Sequence, residues 1–322
     1  MQRRGLITAL IASLLLGGAP GASAEEYPSR LVRVVIPFPA GGPTDTVGRL
    51  LAQKLTEQTG QTFLIDNVPG GNGAIGADKV AKAKPDGYTL LFNASTFTTT
   101  PMVSKIVGYD ARRDFTPVAL VAKGPLAVSV TNSLPVSNVA ELIANAKAAA
   151  NPLAFAVGST ASAGHLATEL LGQTGALRFL IVRYKGSAPA YQDLLGGQIQ
   201  GFVDPLLGAL PHHKTGRLKL LAVTSKDRVP SLPNIPTVAE SLPGFEFYSW
   251  YGVWGPQNLP EAVTAKLNAE VNKALTSGSL RDRLLQEGYI LQPGTPADFA
   301  AYQNDDIERS RKIITESNIE PD

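Results

Sequence analysis

Four segments of this chain gather glycine, serine and threonine: Phe38 to Asp45, Asn93 to Thr100, Gly158 to His165 and Tyr184 to Pro189. Small residues leave backbone N–H groups open. Each segment also precedes a run with helical spacing, so a helix dipole adds partial positive charge there. Such loops suit an anion, a carboxylate for example. Ser159, Thr160, Ser162 and Ser187 add hydroxyl donors. A single loop of this kind most often just caps its helix. Four at equivalent ends of two sheets favour binding.

Other residue patterns point to other chemistries, each with a missing part. Gly71-Asn72-Gly73-Ala74-Ile75-Gly76 matches the dinucleotide fingerprint in form. It follows the second strand instead of the first, and the strand Tyr88 to Asn93 ends without the acidic residue a ribose needs. Its glycines are better explained by a tight turn and close helix–strand packing. Thr160-Ala161-Ser162-Ala163-Gly164 approaches a nucleophile elbow, with Thr160 where the first glycine belongs. The histidines are His165, His212 and His213. His165 stands three residues from Ser162 at a helix start, a place for capping, packing or ligand contact. Adjacent His212 and His213 point about 100° apart on a helix and cannot share a metal. Asp45 reads as a helix N-cap, and Asp204, at a strand end, as an acceptor for a backbone or ligand donor. An exported serine hydrolase acting through Ser162 or Ser187 is therefore the alternative to a binding protein.

The elements that must position these residues alternate. Strands are expected at Leu31 to Phe38, Thr62 to Val68 and Tyr88 to Asn93, with helices from Thr44 or Asp45 to Gln58 and from Ala74 to Ala83. That βαβαβ order implies a parallel sheet. A second block begins with two strand-like stretches around Gly124-Pro125. Asn138 and Glu141 suggest a capping box for a helix to Ala150. Strands follow at Leu153 to Val157, Arg178 to Tyr184, Ile199 to Val203 and Leu218 to Thr224, with helices to Gln173 and Leu195. Asp227 to Pro243 is a Pro-rich connection. An aromatic stretch, Phe245 to Trp254, precedes helices at Glu261 to Leu275, Leu280 to Gln286 and from Pro296, the last capped by Thr295.

The first 24 residues carry Arg3 and Arg4, an apolar run from Leu6 to Leu16 and the triplet Ala22-Ser23-Ala24. That is the pattern of a secretory signal cleaved after Ala24. The run is too short for a membrane span of about 20 residues. The chain of 322 residues has 29 Lys+Arg and 27 Asp+Glu, and removing Arg3 and Arg4 leaves 27 against 27. A neutral mature chain argues against a nucleic-acid partner. There is no cysteine, which excludes thiol nucleophiles, thiolate metal sites and a lipid anchor through a mature N-terminal Cys.

Several motifs together resemble the periplasmic substrate-binding proteins of tripartite tricarboxylate transporters, the Bug family. They are Phe38 to Asp45 (FPAGGPTD), Pro69 to Gly76 (PGGNGAIG) with Lys84 to Leu90 (KPDGYTL), and Tyr184 to Ala190 (YKGSAPA) with Asp193 to Gln198 (DLLGGQ). Leu221 to Ser225 (LAVTS), Pro233 to Ser241 (PNIPTVAES) and Trp250-Tyr251-Gly252 complete the set. The resemblance runs over essentially the whole mature chain. It implies an α/β, two-lobed periplasmic-binding-protein (type II) fold, each lobe a sheet flanked by helices. Lobe one would be 25–124 plus 227–322 and lobe two 125–226, closing on a ligand in the cleft. It implies a receptor, not an enzyme, that holds a small organic carboxylate through N–H groups, hydroxyls and ordered water. The residues carried over are Gly41, Gly42, Thr44, Asp45, Ser95 and Thr96 in lobe one. In lobe two they are Ser159, Thr160, Ser162, His165, Ser187, Ala188 and Asp204. No cofactor or metal is implied. A monomer delivering its ligand to a membrane permease is expected, and a sensor that presents the ligand to a receptor domain would use the same fold. Trp250 and Trp254 are expected to report closure by fluorescence, and Ser187→Asp to be tolerated by the fold as a helix-start substitution.

Overall fold

The computed structural model describes residues 27–276 and 278–321. The signal segment expected at 1–24 lies outside them. Strand β1 (Val32–Ile36), helix α1 (Pro43–Thr59), β2 (Phe63–Asn67), α2 (Ala74–Ala81) and β3 (Thr89–Ala94) form the expected opening. Then come α3 (Thr96–Val103), β4 (Phe115–Val130), α4 (Val139–Ala148), β5 (Leu153–Val157), α5 (Ala163–Gly175) and β6 (Phe179–Arg183). Next are α6 (Ser187–Leu195), β7 (Gly201–Pro205), α7 (Leu206–Lys214), β8 (Lys219–Val223) and β9 (Tyr248–Pro256). Helices α8 (Glu261–Thr276) and α9 (Ser279–Gln286), strand β10 (Ile290–Leu291) and helix α10 (Pro296–Glu316) end the chain.

The strands make one curled, mixed sheet in the order β2-β1-β3-β9-β4-β7-β5-β6, with β8 and β10 also on β4. Two parallel trios, β2-β1-β3 and β6-β5-β7, face outward from an antiparallel middle. The expectation of a separate sheet in each lobe needs one adjustment, because β4 belongs to both halves. Its residues Phe115 to Pro125 pair with β9 and Leu126 to Val130 with β7. Gly124-Pro125, expected to separate two strands, instead marks the place where one strand changes partners. A side chain at Gly124 would meet the Tyr289 ring at 2.5 Å.

Beside that place the chain crosses back from β8 to β9, and Thr224 fastens this second crossing. Its Oγ1 donates to Phe247 O at 2.7 Å and accepts from Leu126 N–H at 2.8 Å. Thr224→Val keeps the shape but deprives two buried backbone groups of their partner. A loss of about 2–4 kcal/mol is expected in urea unfolding, since each orphaned group costs about 1–3. A variant as stable as wild type would show that Thr224 does not hold the crossing.

Each half has its own core. Leu51, Leu55, Phe92 and Val271 pack the first, and Leu126, Phe155, Leu166 and Val203 the second. The C-terminal helix reaches both. Phe299 sits among Trp250 and Trp254, whereas Ile313, Ile314 and Ile319 join the second core. Both tryptophans are 0% exposed and pack against Phe299. They point away from the site described below, which makes them weaker reporters of closure than expected. No helix among the described residues is long and apolar enough to cross a membrane.

Candidate functional site

Strand ends and helix starts meet in one place. The loop after β1 leads to α1, which begins with Gly42 as N-cap and Pro43 at its first position. The expected caps Thr44 and Asp45 therefore sit two and three residues past the N-cap. β3 runs straight into α3 with Ser95 as N-cap, so Thr96 to Thr100 are helical and not loop. After β5, Ser162 caps α5 by accepting from His165 N–H. Gly186, at φ 106°, is the N-cap of α6, a backbone angle that favours glycine. Pro205 is the N-cap of α7, a helix the sequence reading did not anticipate.

Residues from all five helix starts line a cavity of about 140 Å³. Of the residues singled out from sequence, Gly42, Thr44, Thr96, Ser159, Ser162, Ser187, Ala188 and Asp204 are on its wall. Gly41, Asp45, Ser95, Thr160 and His165 are not among the lining residues and support it from behind. Asp45 Oδ2 accepts from Gly41 N–H at 2.9 Å and from Arg49 Nε at 2.8 Å, and its Oδ1 accepts from Asn67 Nδ2 at 2.9 Å. Burial pushes Asp45 up, but these three partners outweigh it and hold the carboxyl below its ordinary value. Asp45 is thus a buried anchor for the Gly41 loop and not the N-cap expected. Ser95 N–H donates to Trp250 O at 2.9 Å. Thr160 O accepts from Asn72 Nδ2 at 2.9 Å, and Ala161 O accepts from Thr99 Oγ1 at 2.7 Å. These two bonds join the Gly71-to-Gly76 turn and α3 of the first half to the Gly158-to-His165 loop of the second. The glycine motif therefore has a structural use. A Cβ on Gly76 would lie 2.8 Å from Val68 O, which is the close packing expected.

Sequence reasoning missed several wall residues. Ser249 and Tyr251 come from β9, and Lys185 precedes α6. Lys185 and Tyr251 stood in motifs that were recognised, YKGSAPA and Trp250-Tyr251-Gly252, but nothing in their spacing set them apart. Lys185 is the basic side chain and Asp204 the carboxyl of the lining. The Tyr251 hydroxyl is buried without a partner, and burial pushes it up to about 12, so it remains a donor. Asp204 is 5% exposed, and its Oδ1 accepts from Ser187 Oγ at 2.9 Å. That bond changes the outlook for Ser187→Asp. The new carboxylate would face Asp204, so the substitution is not the benign helix-start change expected.

No hydrolase constellation forms. Ser162 Oγ accepts from His165 N–H at 3.3 Å as a cap, while His165 Nδ1 accepts from Ala161 N–H at 3.0 Å. His165 Nε2 faces Glu169 at 3.5 Å. Ser187 is partnered by Asp204, and no described histidine reaches it. No group of three or more His, Cys, Asp or Glu that could hold a metal occurs among the described residues.

A curled mixed sheet with helix starts facing a central cavity is the architecture of a solute-binding protein. The sequence agrees: residues 47–319 match the tripartite tricarboxylate transporter family receptor, and the chain belongs to that family. A structure of Rhodopseudomonas palustris Rpa4515 with adipate is 38% identical, covers 92% of this chain and 99% of its own, and superposes with a TM-score of 0.88. The periplasmic binding protein BugD is 33% identical, with 92% and 100% covered and a TM-score of 0.85. MatC from the same Rhodopseudomonas, with bound malate, is 32% identical, with 89% and 100% covered and a TM-score of 0.81. The chain is a solute receptor and not an enzyme, which removes the serine hydrolase alternative.

Proposed function

We propose that this receptor holds a small organic carboxylate in the cavity between the two halves of the sheet and delivers it to a membrane permease of the tripartite tricarboxylate type. The observation that carries the reading is the convergence of five helix starts on one cavity. Each brings N–H groups and partial positive charge, and together they match an anion better than any one would. Adipate and malate in two relatives support a dicarboxylate of about four to six carbons. Gly42, Thr44, Thr96, Ser159, Ser162, Ser187, Ala188 and Asp204 make contact with ligand, joined by Lys185, Ser249 and Tyr251. Gly41, Asp45, Ser95, Thr160 and His165 hold that wall in place. The lobes are 25–124 plus 227–322 and 125–226, hinged at Gly124-Pro125 and Thr224. The mature protein starts at Glu25, works as a monomer and resides in the periplasm.

A thermal-shift screen of mono-, di-, tricarboxylic and aromatic acids tests the reading. An acid at 100 times its dissociation constant stabilises the folded form by about 2.7 kcal/mol. A clear rise in melting temperature is expected with at least one dicarboxylate. If no acid in the screen raises it, the reading fails.

A further inference from the structure

The wall of this anion cavity contains a carboxyl group. Asp204 Oδ1 is bonded to Ser187 Oγ, but Oδ2 is buried and has no hydrogen-bond partner. The Tyr191 hydroxyl is buried and unpartnered too. A Cβ built on Gly208 would lie 2.9 Å from Asp204 Oδ2 and 3.3 Å from the Tyr191 oxygen, so both oxygens border the same small space on the α7 side.

The surroundings of Asp204 hold no opposite charge. From α6 it is faced by Ser187 and Tyr191, from β9 by Tyr251, and from the segment before β10 by Tyr289. Burial pushes all three phenols up, so each is a neutral donor. Helix α5 offers Gly164 and helix α7 Gly208, neither of which carries charge. Lys185 lines the same cavity but makes no ion pair with Asp204, and no cation is among the groups that shift the Asp204 carboxyl. Burial pushes the Asp204 carboxyl up to about 7, against the Ser187 bond and the neighbouring Tyr191 hydroxyl, which both pull it down.

Ser187 has one hydroxyl hydrogen. When Asp204 is ionised it only accepts, so Ser187 must commit that hydrogen to Oδ1. The serine then shows the cavity lone pairs alone, which match a ligand hydroxyl or ammonium and repel a carboxylate. When Asp204 is protonated, its own O–H can donate to Ser187 Oγ. The serine hydrogen is then released to turn toward a ligand oxygen.

We propose that Asp204 and Ser187 form a proton-coupled specificity subsite. A ligand carboxylate is held there together with one proton drawn from solvent onto Asp204, and a hydroxyl or ammonium group is held by the ionised pair. No covalent bond changes. The proposal rests on the carboxylate-receptor reading and adds which protonation state of the wall receives which ligand group.

Calorimetric titration with adipate tests it, using malate if adipate gives no thermal shift. Measurements run from pH 5.5 to 8.5 in HEPES and Tris, whose ionisation heats differ. Wild type is expected to take up close to one proton near pH 8, and its affinity for adipate to fall about tenfold per pH unit above 7. Asp204→Asn supplies a neutral donor at every pH. It is expected to show no proton uptake and a flat affinity, tighter than wild type at pH 8.5 by about tenfold or more.

Unfolding in urea without ligand gives a second measurement. An acid raised in the folded state binds its proton there between roughly pH 4 and 7 while the unfolded chain has released it. Wild type therefore loses stability relative to Asp204→Asn as pH rises from 4 to 7, and the difference levels off above 7. If Asp204→Asn does not fold, the buffer-dependent heat of wild type decides alone. Adipate or malate binding with equal affinity at both pH limits and with no proton exchange overturns the proposal and leaves the receptor reading standing. Failure of every acid in the thermal screen removes the receptor reading, and this proposal with it.

Discussion

Gly164→Ala is expected to lower stability by at least about 3 kcal/mol and to weaken carboxylate binding more than tenfold in whatever fraction folds. The added Cβ would stand 2.2 Å from Val203 O, which no real contact tolerates. The obstacle is backbone and not the far end of a flexible side chain. It belongs to β7, which is paired with β4 on one side and β5 on the other and cannot retreat. Relief has to come from the start of α5, which would shift outward. Overpacking of this kind costs about 1–3 kcal/mol where side chains can adjust, and more where backbone must move. Because Ser162, Ala163 and Gly164 are part of the cavity wall, the same shift would misplace the N–H groups of that helix start. Gly42→Ala is the matched control. It lies at the start of α1 on the same wall, at φ −78°, with Pro39 O 3.7 Å from its Cβ position. Its folding stability should stay within about 1 kcal/mol of wild type. Urea midpoints and titrations of both variants make the comparison. A Gly164→Ala protein with the wild-type midpoint would show that α5 does not rest on β7 as described.

Phe299→Ala should cost about 3–5 kcal/mol, the range for truncating a buried aromatic. Phe299 is 1% exposed and touches both tryptophans, with ring centroids 5.9 Å from Trp250 and 5.0 Å from Trp254. A Cβ on Gly252 would stand 2.3 Å from its ring, so the strand is shaped to admit it. The effect on binding should be small, and alternation along β9 is the reason. Trp250, Gly252 and Trp254 face α10, while Ser249 and Tyr251 face the cavity. Loss of stability with less than a tenfold change in affinity is therefore expected, along with red-shifted tryptophan emission as water reaches the indoles. An affinity loss larger than a hundredfold in folded protein would mean that the two faces of β9 are coupled.

Much of the scaffold is legible from residue order because strand and helix signals alternate cleanly. Leu153–Val157 has the limits that pattern predicts, and α6 ends at Leu195 as expected. Asn138 accepts from Glu141 N–H as expected, although the return bond from Glu141 goes to Ser137 N–H. Helix α3 was illegible for a physical reason. Phe97-Thr98-Thr99-Thr100-Pro101 is β-branched and ends in a proline, both unfavourable in a helix. Tertiary contacts override that preference. Thr99 Oγ1 donates to Ala161 O and Thr100 Oγ1 to Asn72 O, and the carbonyl of Phe97, which Pro101 cannot serve, accepts from Tyr109 Oη at 2.9 Å. Helix α7 was hidden because Asp204-Pro205 reads as a stop, whereas proline here stands at a helix start. At the site, loops on strand ends could be found because topology puts them there. Ser249 and Tyr251 could not, because they arrive on an antiparallel strand distant in sequence whose two faces look alike from composition.

The double attachment of α10 has a mechanical consequence. Two strand crossings alone act like two pins and leave one rotation free. Helix α10 adds a third attachment away from those pins. Its first turns are wedged by Phe299 against β9, and its last turns are seated in the second core through Ile313 and Ile314. Gln173 Nε2 donates to Ser317 Oγ at 2.9 Å at the far end. A rigid bar fixed at both ends cannot lengthen, so the proposed hinge can turn only if one of its seats moves. Any opening must slide the Ile313-to-Ile319 end across α5, a shear of packed side chains, and its amplitude is set by how far those side chains can move before they lose their seats.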